Sequence, residues 1–116
     1  MQKKNKENYL EKIPTKNESV NWKTDGENMV VLEVENNGLF NTIAQKLFKK
    51  PKVSYIHLEE FGSFIWPEID GKQNISEIAT KVKEHFGEKA EPLYDRLLKY
   101  FLSLESYGFV KLKNKK

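Results

Sequence analysis

The sequence predicts a winged-helix-like α+β domain: a small three-stranded antiparallel sheet followed by three helices, with an extra amphipathic helix inserted before the third strand. Three observations predict it. Met29–Glu35 (MVVLEVE) places Val30, Leu32 and Val34 on one face, the alternation of a half-buried strand. Beyond residue 59, apolar residues recur at helical spacing in three separate segments. Each segment closes on a helix stop: Gly71, Gly87 and Gly108.

Taken in order, residues 1–18 are polar and rich in Lys, Asn and Glu, which predicts a flexible N-terminal arm; deleting residues 1–17 and 113–116 should leave melting nearly untouched. The opposing reading pins that arm to the body through Tyr9, Leu10 and Ile13. Val20–Trp22 reads as a first short strand, Thr24-Asp25-Gly26-Glu27 as a turn, and Met29–Glu35 as the hairpin partner, ended by Asn36-Asn37-Gly38. Leu39–Phe48 carries Ile43, Ala44, Leu47 and Phe48 at helical spacing before Pro51, with Lys46, Lys49, Lys50 and Lys52 alongside. This predicts a helix laid over the sheet; a membrane-surface or acidic-partner patch is the competing reading.

Val53–Leu58 supplies the third strand, with Ser54, Ile56 and Leu58 on one face and Val53, Tyr55 and His57 on the other. Phe61, Phe64, Ile65 and Ile69 mark the first core helix, which Pro67 should kink or restart. Asn74 with Glu77 three residues on predicts a reciprocal cap for the second helix, whose stripe is Ile75, Ile78, Ala79, Val82 and Phe86. Pro92 opens the last helix, where Leu93, Leu97, Tyr100, Phe101 and Leu104 face the core. Tyr94, Leu98 and Leu102 form a second apolar row that a one-sided core does not need. Phe109–Leu112 is a terminal strand, and residues 113–116 are a basic tail, so the domain proper spans residues 19–112.

The 116 residues hold no cysteine, which excludes disulfides, thiol catalysis and thiolate metal sites. His57 and His85 stand far apart and carry no ligand spacing, so no metal or other cofactor is expected. No apolar run approaches the roughly 18 residues of a membrane span, and the first residues lack the apolar core of a signal peptide; the expectation is a cytoplasmic protein. The formal charge of +3 comes from 20 basic and 17 acidic side chains. Residues 1–17 hold five Lys and two Glu, and residues 111–116 hold four Lys and no acid. The body between is therefore left with eleven bases against fifteen acids, so the basic character belongs to the ends. No glycine-rich phosphate loop, supported nucleophile–base pair or defensible pair of acids is present, which argues for a binding module rather than an enzyme.

The run Ile56-His57-Leu58-Glu59-Glu60-Phe61-Gly62-Ser63-Phe64-Ile65-Trp66, then Ile69-Asp70-Gly71, Ile75-Ser76-Glu77-Ile78-Ala79 and Leu104-x-x-x-Gly108-Phe109-Val110 resembles the coenzyme PQQ synthesis protein D (PqqD) family over about residues 20–112. Glu59 stands where the family more often has Asn or Asp, and Asn74 where it has Thr; both keep an acceptor near a helix start. The resemblance implies a non-catalytic recognition element. It would hold the leader of a ribosomally made precursor peptide and present it to a modifying enzyme, often a radical S-adenosylmethionine enzyme. It further implies that the leader adds as a strand to Val53, Ser54, Tyr55, Ile56 and His57 and rests on the last helix, at the row Tyr94, Leu98 and Leu102. Two rivals stay open: a DNA-binding winged helix, and a structural subunit that docks on an enzyme without touching peptide. Residues 59–107 carry six bases and ten acids, which disfavours specific nucleic-acid binding.

Overall fold

Alternation places Val30, Leu32 and Val34 under one face of a strand, and burying that face needs partners on both sides and a layer of helices beneath. The computed structural model, which describes residues 9–35 and 53–114, supplies both. Strand β1 spans Ile13–Lys16, β2 Asn21–Thr24, β3 Val30–Glu35, β4 Val53–His57 and β5 Val110–Lys113. Helix α1 spans Glu60–Ile65, α2 Ile75–Phe86 and α3 Leu93–Ser106. Strands β2, β3 and β4 form an antiparallel sheet with β3 central, registered Trp22 to Leu32 to Ile56. Among the described residues the fold is thus mixed α+β, with a three-stranded antiparallel sheet, a two-stranded β1–β5 ribbon and the three helices that the periodicity predicts. The helix expected over Leu39–Phe48 lies outside the described residues.

The core fills the space between the inner face of β3 and the apolar stripes of the helices. Val30, Leu32 and Val34 meet Ile65 and Trp66 beside α1, Ile75, Ile78, Ala79 and Val82 of α2, and Leu93, Leu97, Phe101 and Leu104 of α3. Val20, Phe109 and Val110 close its margins. Phe64, expected in this core, is only partly buried and stacks on His85 at 4.3 Å between ring centroids.

Local chemistry explains where the helices start and stop. Asn74 caps α2 by accepting from the Glu77 N–H at 2.7 Å, and the Glu77 carboxylate accepts from the Asn74 N–H at 2.8 Å, the predicted reciprocal cap. Pro67 ends regular α-helix after Ile65, and Trp66–Glu68 continues as a 3-10 turn. Gly71 adopts φ of +77°, the left-handed geometry expected of it. The Asp70 carboxylate accepts from the N–H groups of Lys72 and Gln73, both at 2.9 Å, and these bonds hold its carboxyl below the usual carboxylate range. Glu59 differs from expectation: it occupies the N-cap of α1, but its side chain makes no capping hydrogen bond. Its longer side chain does not reach the N–H groups that Asn or Asp caps from closer in.

The largest departure concerns the N-terminal arm. Within the described residues it is not frayed: β1 pairs antiparallel with β5, Ile13 opposite Lys113 and Lys16 opposite Val110. Tyr9 and Leu10 pack against the core, and the Lys12 carbonyl accepts from the Ile75 N–H at 3.0 Å, satisfying a donor in the first turn of α2. Asn17 finishes the attachment, donating from its backbone to Phe109 O at 2.9 Å and from its side chain to Gly108 O at 2.8 Å. The Lys16 ammonium lies over the rings of Trp22 and Trp66, 4.9 and 5.5 Å from their centroids. Burial there lowers the Lys16 pKa, partly offset by the nearby Asp70 carboxylate.

Ser63 joins sheet to helix. Its hydroxyl accepts from the Val30 N–H at 2.8 Å and donates to Leu58 O at 3.0 Å, replacing the direct bond at the end of the β3–β4 ladder. Ser63 is buried, so Ser63→Ala leaves the Val30 amide without an acceptor and should destabilise the fold by about 1–3 kcal/mol. A denaturant midpoint equal to that of the parent chain would show that water replaces the hydroxyl.

Candidate functional site

The edge of β4, the last strand of its sheet among the described residues, and an adjoining groove form the candidate site. The Leu58 N–H donates to Val30 O at 2.9 Å, which sets the phase of the β3–β4 ladder. Alternate residues bond to the same neighbour, so Ser54, Ile56 and Leu58 direct their backbone groups at β3. The backbone N–H and C=O groups of Val53, Tyr55 and His57 therefore point the other way. Among the described residues β4 is the last strand of its sheet, so those groups line its edge.

Beside this edge lies a groove of about 930 Å³. Leu32, Ile56 and Leu58 form its sheet-side floor, and Leu104 and Phe109 close it beneath. One flank of α3 forms the wall, with Arg96, Lys99, Tyr100, Ser103 and Tyr107. These residues fall at helical spacing and combine aromatic faces with polar ends. Glu59 and Phe61 border the end nearest α1.

A close approach sets the wall against the strand. Tyr100 donates its hydroxyl to Gly62 O at 3.0 Å, and a Cβ on residue 62 would stand 2.9 Å from the Tyr100 ring. Only glycine lets α1 and α3 approach this closely. Burial raises the Tyr100 pKa, so it serves as a neutral donor. Arg96 is also fixed: its guanidinium lies 4.0 Å from the Phe61 ring centroid and donates to Lys89 O at 2.8 Å.

The predicted site residues divide between two places. Val53, Ser54, Tyr55, Ile56 and His57 all belong to β4, and Ile56 reaches the groove floor. Tyr55 and His57 are exposed on the opposite face of the sheet, where the Lys23 ammonium lies 5.9 Å from the Tyr55 ring centroid. Tyr94, Leu98 and Leu102 are not among the groove residues. They occupy the opposite flank of α3, with Tyr94 and Leu102 exposed and Leu98 half-buried. The helical half of the groove is the row 96, 99, 100, 103 and 107, which hydrophobicity does not single out. The available sequence signal was an aromatic–polar row at helical spacing, Tyr100, Ser103 and Tyr107, beside the apolar stripe. Among the described residues no group of histidines and acids is arranged to hold a metal ion.

A family model described as Coenzyme PQQ synthesis protein D (PqqD) matches residues 29–110. The chain belongs to the PqqD family. All of the groove, from Leu32 to Phe109, lies within the match, whereas β1 and β2 lie outside it. The PqqD segment thus contains the strand edge and both groove walls, while β1 pairs with β5, of which only Val110 falls within the match. No curated protein and no solved structure matches the chain. Among the described residues no helix is long and apolar enough to cross a membrane.

Proposed function

We propose that this PqqD-family protein is a non-catalytic peptide-recognition module. A leader segment of a ribosomally made precursor adds as a strand to β4 and is presented to a modifying enzyme of the radical S-adenosylmethionine type. One observation carries the reading: the outward backbone of Val53, Tyr55 and His57 runs beside a groove walled by α3. Backbone groups on a strand edge bind any extended chain, and an adjoining groove that receives alternate side chains supplies selectivity. The peptide-binding set is then Val53–His57 with Tyr100, Ser103 and Tyr107; Tyr94, Leu98 and Leu102 fall away from it. The module needs no cofactor of its own, and it works where precursor and enzyme are made, in the cytoplasm.

Ser103 offers a clean test, because it is exposed on the groove wall and outside the core. Ser103→Trp should fill the groove and weaken peptide binding at least tenfold, about 1.4 kcal/mol, with stability little changed. The measurement is an NMR titration with synthetic peptides spanning the short reading frames beside the gene. Amide perturbations at Val53, Tyr55 and His57 together with Ser103 and Tyr107 are expected. Perturbations confined to Tyr94, Leu98 and Leu102 would move the site to the other flank of α3, and silence with every peptide would remove the peptide-carrier reading.

A further inference from the structure

We infer that the groove selects an extended peptide whose alternating apolar side chains are followed or preceded by an Asp or Glu, and that Lys99 is the residue that reads this acid; the inference rests on the peptide-groove reading above. Charge distribution argues for it. Residues 59–107 hold ten acids and six bases, yet among the described residues the charges on the groove are Arg96 and Lys99 against Glu59. A locally positive groove on an acidic helical body favours an anionic partner and disfavours a basic one.

The two cations have different parts. Arg96 is committed to the Phe61 ring and the Lys89 carbonyl, so it contributes a fixed positive field. Lys99 is exposed on the wall, and among the described residues no carboxylate pairs with it. Its three N–H donors are available to a carboxylate. Position in the groove follows from its neighbour: Tyr100 meets Gly62, and Gly62 lies against Leu58, so this part of the wall stands beside the Leu58 end of β4. Apolar side chains of an added strand would rest beside Ile56, and the acid would fall at the Leu58 end. Side chains of a strand alternate, so the apolar positions are separated by one residue.

The probe is a display library of random 12-residue peptides, selected on the full chain, with the selected peptides labelled and titrated by fluorescence anisotropy. Selected peptides should share the apolar alternation with an Asp or Glu at one end. Lys99→Glu should weaken them by about tenfold or more through like-charge repulsion, and replacing the peptide acid by Lys should restore binding to that variant. Peptides that lose binding on Ser103→Trp but lack an acid, or are indifferent to Lys99→Glu, would overturn the charge inference and leave the groove reading intact. Peptides indifferent to Ser103→Trp, or a library without any binder, would overturn the groove reading and the inference with it.

Discussion

Phe101→Ala lowers the unfolding free energy by about 3–5 kcal/mol, the range for an aromatic side chain removed from a closed core. Phe101 has no exposed surface and sits on the inner stripe of α3 between Leu97 and Leu104. Its ring contacts Tyr100 edge-on, at 5.2 Å between centroids, so its loss also loosens the residue that seats α3 against Gly62. The cavity lies among α-helical and β3 side chains that other contacts hold in place, and relaxation can fill little of it. Leu102→Ala, one residue on and nearly half exposed, provides the control and should cost less than about 1 kcal/mol. Denaturant midpoints separate the two. Equal midpoints would mean that the burial of α3 is rotated from that described.

Deleting residues 1–17 destabilises the protein by at least about 3 kcal/mol, contrary to what the polar composition of this segment suggests. The deletion removes the partly buried Tyr9 and Leu10 and the buried Pro14, and two or three such side chains supply that magnitude by burial alone. It also unpairs β5, takes the acceptor from the Ile75 N–H and removes both Asn17 bonds to the turn at Gly108 and Phe109. At about 4–8 °C per kcal/mol for a domain of this size, the melting temperature should fall by more than about 12 °C. A shift of a few degrees would show that the β1–β5 ribbon holds little of the stability.

The same segment shows how legible the chain is. β1 reads IPTK, with a proline and a lysine in four residues, and no strand pattern distinguishes it from a loop. Its partner lies nearly a hundred residues away, and the pairing gains its energy from β5, Val110 and the start of α2, none of which is local. By contrast, β3, the α2 stripe and the Asn74–Glu77 cap were all visible, because alternation, helical spacing and capping act over two to four residues. The order of the sheet was visible for a similar reason: hairpin turn chemistry makes β2 and β3 neighbours, and the next strand along has β3 as its available partner.

Sequence alone therefore determined the family motifs, the sheet, the three helices and the strand whose edge lies beside the groove. It also showed that α3 has more than one usable row. Which row faces β4 was decided only in three dimensions. Helix spacing gives every row of α3 the same regularity, and the surplus apolar row Tyr94, Leu98 and Leu102 looked like the better wall. The rotation of α3 follows from its buried stripe Leu93, Leu97, Phe101 and Leu104 together with a contact between residues 38 positions apart: Tyr100 fits against Gly62 and donates to its carbonyl. That seating turns Arg96, Lys99, Ser103 and Tyr107 toward the groove and Tyr94, Leu98 and Leu102 away from it, because side chains on one rigid helix rotate together.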